Sequence, residues 1–206
     1  MQSVRGVLIV AALVALAPAP ARAQIVLPKA GQVGVSLAGG YGSMLESGNV
    51  GSVFGSGPTF AVRLRYRMRY ERALTASFEA QDLDARVPPG PFDLLDPTTA
   101  APTKLSLVLS GVEFSQLFDT RSRTQKMLMV GAGLAQGRAE MNTGETELSG
   151  DFSGDGLFVS AGAGIERFFF RSWAWDFSTR YYAVFREGAA NHDLQAALGV
   201  IFYASY

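Results

Sequence analysis

The sequence predicts an all-β fold, an eight-stranded antiparallel up-and-down transmembrane β-barrel, and three observations carry that expectation. Apolar and polar side chains alternate with a period of two along most of the chain beyond residue 30, the alternating segments are long, and the connections between them alternate short and long. A period of two marks a strand, and a strand crossing a bilayer obliquely needs about 9–11 residues. The clearest case runs from Phe60 to Tyr70. Phe60, Val62, Leu64, Tyr66, Met68 and Tyr70 share one face, while Arg63, Arg65, Arg67 and Arg69 share the other. A helix would scatter the four arginines around its circumference. A strand with one apolar and one charged face suits lipid outside and a lumen inside.

The first 23 residues stand apart from this pattern. Arg5 precedes an unbroken apolar run from Val7 to Ala17, Pro18 and Pro20 stop any helix, and Ala21-Arg22-Ala23 has the small-x-small form of a signal-peptidase site. Eleven apolar residues fall short of the roughly 20 that span a bilayer as a helix. The expectation is a signal peptide over 1–23, cleaved after Ala23, and a barrel domain over 24–206. With no cysteine in the chain, an exported protein here uses neither disulfides nor an N-terminal lipid. Removal of Arg5 and Arg22 leaves 16 basic against 18 acidic residues, a balance that argues against a nucleic-acid partner.

Eight alternating segments follow, near 31–43, 57–70, 73–84, 103–117, 126–141, 155–169, 173–186 and 192–206. Tyr70 to Ala73 and Phe170 to Trp173 read as tight turns, and Phe118 to Lys126 as a short polar one. Gly42 to Ser56, Ala85 to Pro102 and Asn142 to Gly154 read as longer loops, with a shorter one from Arg186 to Asn191. Tyr70, Phe114, Phe168, Trp173, Trp175 and Tyr206 are expected in an aromatic girdle at the turn end, and Tyr41, Phe60 and Phe185 in one at the loop end. In 103–117 the face of Leu105, Leu107 and Leu109 becomes the face of Glu113, which predicts a bulge near Ser110-Gly111. Segment 87–95, Val87 to Leu95, is too Pro-rich for a strand and is expected to fold over the barrel mouth.

Gly131-Ala132-Gly133-Leu134, Gly162-Ala163-Gly164-Ile165-Glu166, the Arg180-Tyr181 pair and the ending from Leu198 to Tyr206 resemble the small outer-membrane barrels of the OmpA, OmpX and OmpW type. The resemblance implies an outer-membrane location among lipid and lipopolysaccharide. It also implies recognition of the C-terminal strand by the assembly machinery, through Gly199, Phe202 and the terminal Tyr206; Ala204 stands where that signal more often has an aromatic.

Eight strands enclose a lumen just wide enough for side chains to fill. Alternation turns Arg63, Arg65, Arg67, Arg69 and Arg180 inward against Glu79, Glu113, Glu166 and Asp176, and a three-residue turn at Glu71-Arg72-Ala73 would set Arg65 across from Glu79. An ion-pair network is therefore expected, the alternative being an arginine-lined anion pore. Asp151 to Gly156 resembles the start of a calcium loop, but its twelfth position is Gly162 rather than Glu, so an acidic surface loop is expected instead. The lone histidine, His192, opens the last segment beside Asp193. Barrel enzymes that modify lipid A pair such a histidine with Ser and an acid, and no such set converges here. No metal or cofactor is expected, and no catalysis. Three roles stay open: a structural protein presenting loops to an unspecified surface ligand, a narrow channel or OmpW-like transporter of small apolar solutes, and a lipid-modifying enzyme. The inward arginines favour the first.

Overall fold

The computed structural model describes residues 27–45, 48–86, 102–141, 154–170, 172–186 and 189–204. The expected signal peptide, segment 87–95, the acidic end of the calcium-like loop (Asp151 to Ser153) and Tyr206 lie outside the described residues. The strands are β1 (Val33–Met44), β2 (Ser56–Arg69), β3 (Arg72–Asp84), β4 (Pro102–Phe118), β5 (Thr124–Met141), β6 (Gly154–Phe170), β7 (Trp173–Arg186) and β8 (Ala189–Tyr203), with a six-residue helix, α1 (Gly48–Val53), between β1 and β2. Each strand pairs antiparallel with the next, and β8 pairs with β1, so the sheet closes as an up-and-down barrel without an edge.

Register sets the shape. Ser36 pairs with Arg63 on one side and Ile201 on the other. Following partners from Arg63 through Ser77, Gly111, Gly133, Phe158 and Val184 reaches Asn191, ten residues from Ile201 on the same strand. That stagger over eight strands tilts them by roughly 40° and keeps the interior narrow. The outward faces are apolar all round: Leu64, Val130, Leu157 and Leu198 are each more than half exposed. Water would not tolerate such a belt on a soluble protein; lipid does. Tyr70, Trp173 and Trp175 face outward at the turn end, and Tyr41, Phe60 and Phe185 at the loop end. Trp173 lies against Phe202 at 4.9 Å and Trp175 against Phe169 at 5.3 Å.

Four expectations change. The β2–β3 turn is tighter than three residues. Arg69 pairs with Arg72, and two residues of β2 then advance against one of β3, so that Arg67 pairs with Ala73. This bulge turns Arg69 outward into solvent and sets Arg65 across from Thr75, not Glu79. Second, β6–β7 repeats the device, with Phe168 opposite Ala174 and Phe170 opposite Trp173; Phe168 points inward and is buried, outside the girdle. Third, Arg186 pairs directly with Ala189, so the strands of the last hairpin run through most of the expected Arg186 to Asn191 loop. Fourth, no bulge interrupts β4 near Ser110-Gly111; its one register shift lies at Pro102–Lys104 against β5. Its pairing with β3 runs unbroken from Arg72–Gln116 to Asp84–Lys104, and Leu105, Leu107, Leu109 and Glu113 all point inward. The lumen, not the strand, changes character along its length.

Candidate functional site in the barrel lumen

The inward side chains form three layers. At the turn end Phe168, Ala174, Ile201 and Tyr203 pack together with Leu27 against them, and Leu117, Met127 and Met129 pack beside Ala73. At the loop end Leu83, Leu105, Leu107, Leu109 and Phe158 surround Val50 and Phe54, which α1 and the residue following it bring into the barrel mouth. Arg86 holds that segment in place, donating to the carbonyls of Gly51 (2.8 Å) and Met44 (2.5 Å), while the Val50 amide donates to Asn191 Oδ1 at 3.1 Å.

Between these apolar ends lies the ionic layer. Strand β2 supplies Arg63, Arg65 and Arg67 because residues two apart share a face. Arg65, fully buried, donates to Glu166 Oε2 at 2.8 Å and to Asp176 Oδ2 at 2.9 Å. The same Glu166 oxygen accepts from Arg67 and from the Tyr203 hydroxyl, each at 3.1 Å, and the Arg67 guanidinium lies 5.1 Å from the Tyr203 ring centre. Nearer the loop end, Arg63 donates twice to Glu79 Oε1 at 3.0 and 3.1 Å, and the Tyr182 hydroxyl donates to Glu79 Oε2 at 2.8 Å. Arg180 grips Glu113 through Nε (2.8 Å) and Nη2 (3.3 Å) and reaches Ser178 Oγ at 2.5 Å.

Of the nine residues expected in this network, eight line the lumen and Arg69 does not. Without it, four arginines meet four carboxylates and the charges cancel. Arg65 and Glu79 share the layer but are not partners; each pairs elsewhere. Ser36 Oγ, Thr75 Oγ1 and Ser115 Oγ, buried in the lumen and without hydrogen-bond partners among the described residues, are groups of the kind that bind ordered water. Tyr182, Tyr203 and Ser178 escaped the sequence reading, which looked inward only for charges. Their signal was parity: Ser178 and Tyr182 fall in step with Asp176 and Arg180, and Tyr203 with Gln195. Asp193 and Arg186, both buried on inward faces, were also left out of the expected network and add one charge of each sign. Asp193 lies beside two glutamines and accepts from Gln195 Nε2 at 2.8 Å and Gln81 Nε2 at 3.3 Å.

Chemically, this arrangement neutralises and fills. Each of the four ionic-layer arginines is engaged by a carboxylate. His192 sits outward near the loop end, its ring stacked on Tyr181 and its Nδ1 hydrogen-bonded to the Tyr181 hydroxyl. Among the described residues no serine or carboxylate side chain bonds to His192, and no cluster of His, Asp and Glu is placed to hold a metal ion.

No family model matches the chain, and no curated protein matches it in sequence. Its fold is similar to that of solved outer-membrane barrels. Neisserial surface protein A is 15% identical with a TM-score of 0.58, over 82% of this chain and 96% of that one. The outer membrane protein OprG of Pseudomonas aeruginosa is 12% identical with a TM-score of 0.56, over 89% and 100%. Ail, the attachment invasion locus protein of Yersinia pestis, solved with the heparin analogue sucrose octasulfate, is 13% identical with a TM-score of 0.53, over 85% and 99%. At these identities the likeness establishes a shared small barrel fold.

Proposed function

We propose that the chain is an outer-membrane protein whose barrel is a closed anchor, holding the loop-end connections at the cell surface for interaction. On this reading residues 1–23 direct export, the tight turns face the periplasm, lipid and lipopolysaccharide surround the belt, and the assembly machinery reads β8. The observation that carries the proposal is the filled lumen: a charge-balanced ionic layer between two apolar ones. A conducting pore needs charges left free to meet ions, and a transporter of apolar solutes needs an open apolar passage. The loop-end apolar layer is occupied by the barrel's own Phe54, Val50 and Phe158, and the turn-end one by Phe168, Ile201 and Met127. The outward His192 engaged by Tyr181 favours an interfacial aromatic pair over a catalytic base, so the role proposed is not enzymatic. Planar-bilayer recording of the refolded mature chain tests the reading. Electrically silent membranes containing protein that still shifts on boiling in SDS gels are expected; steady chloride conductance would replace the anchor by a channel.

A further inference from the structure

The chain is neutral overall, yet its exposed charges are sorted by end. At the turn end Lys29, Arg69, Arg72, Arg121, Arg123, Lys126 and Arg167 are exposed, against only Glu71 and Asp119 among the described residues. Only Lys126 is engaged, with Asp119 at 3.3 Å; the other six cations are in no ion pair among the described residues. The loop end has the opposite bias. Asp82, Asp84, Glu140 and Asp155 are exposed there beside Arg86, Lys104 and Arg138, and the connections 87–101 and 142–153 add five acids and no Lys or Arg.

The basic rim borders the lipid-facing belt. Arg167 pairs with Trp175 on the neighbouring strand, and both face outward. Beside Lys126 an apolar furrow of about 470 Å³ runs over Ala163 between Phe118, Leu128, Ile165 and Phe177. The alanine leaves the room, and its larger neighbours form the walls. A cationic rim touching an apolar furrow fits a molecule with an anionic head and a hydrocarbon tail.

We infer that the turn-end rim is a binding surface for anionic phospholipid, with the phosphate group on Arg121, Arg123, Lys126 and Arg167 and an acyl chain in the furrow over Ala163. This deepens the anchor reading and rests on it: on the periplasmic side the leaflet in reach is phospholipid. Basic side chains near a bilayer surface attract anionic headgroups, and the attraction fades with salt because the groups are exposed.

The chain's two tryptophans, Trp173 and Trp175, both lie at this end and report on it directly. The mature protein is refolded into phosphatidylcholine vesicles containing equal fractions of brominated phosphatidylglycerol or brominated phosphatidylcholine, and tryptophan quenching is compared. Several-fold stronger quenching by the glycerol lipid is expected. It should shrink in high salt and vanish in the Arg121→Glu, Arg123→Glu, Arg167→Glu variant. Equal quenching by the two lipids, or a preference that survives charge reversal, overturns the inference while leaving the barrel intact. The heat shift on SDS gels separates the two failures: a chain without it is not a closed barrel, and both readings fall together.

Discussion

Replacing Glu79 by Gln removes the counter-charge of Arg63 and weakens the acceptor of the Tyr182 hydroxyl, both deep in the lumen. Breaking a buried pair from one side costs about 3–5 kcal/mol, because the remaining charge is stranded. Denaturant titration in detergent or lipid should show that loss for Glu79→Gln, and Arg63→Met in the same chain should recover part of it. The coupling in the Arg63/Glu79 cycle should exceed ~1 kcal/mol, whereas Arg65 and Glu79, which engage different partners, should be additive to within about 0.5 kcal/mol. The reverse result would mean that the β2–β3 register is wrong. This pairing was half legible in sequence. Strict alternation sorted inward from outward correctly, because a shift by an even number of residues preserves the face. It could not place partners, since a bulge at Arg67–Arg69 and a tight turn together move the register while leaving parity almost untouched. Arg69, next to the turn, is where parity itself fails.

Among the elements, β2 and α1 make the sharpest contrast. Leu64 sits halfway along the outward face of β2, and Leu64→Arg should cost ~2–4 kcal/mol in a lipid-reconstituted unfolding titration. A polar substitution at inward, half-buried Ser77 on β3 should cost far less, and equal costs would show that the faces are exchanged. α1 was invisible to alternation. Six residues cannot display a helical period, and Gly48-Asn49-Val50-Gly51 reads as a turn. Its docking comes from tertiary contacts alone: Phe54 in the apolar cap, Arg86 on the Gly51 carbonyl and Asn191 on the Val50 amide. Phe54→Ala should therefore strip hydrogen-exchange protection from the amides of Val50 and Phe54 without raising conductance, since the ionic layer still lies below. A rise in conductance would assign the closure of the lumen to α1 itself. The leucine run of β4 carries the same lesson. An apolar inward face looked like a broken strand only under the assumption that lumens are polar throughout, and here the lumen ends are cores.

For the molecule as a whole, closure is the governing fact. Every strand has two neighbours, so no free edge is available to begin unravelling. Unheated protein should keep its barrel in SDS and migrate differently from boiled protein; identical migration would contradict a closed sheet. The barrel form was the most legible feature in sequence because it depends on period and spacing, which local composition records. The layering of its interior was the least legible, because it depends on which residues share a height in a tilted, staggered cylinder.

That same ionic layer has a consequence in time. Arg65 meets Glu166 across 101 residues of chain and Asp176 across 111, and Tyr182 meets Glu79 across 103. No single hairpin contains these pairs, so insertion must bring β2 to β6 and β7 before Arg65 and Glu166 are neutralised, whereas Arg63 and Glu79 can meet within the β2–β3 hairpin. The Arg65–Glu166–Asp176 part of the network is a late event, formed after the strands have largely paired. Contacts absent from the rate-limiting state affect only the way out. Glu166→Gln should leave the rate of folding into vesicles almost unchanged and accelerate unfolding by nearly the whole of its equilibrium cost, as stopped-flow or slow tryptophan kinetics would read. A variant that folds proportionately slower would instead place the arginines among the first contacts made, as an organising centre around which the strands assemble.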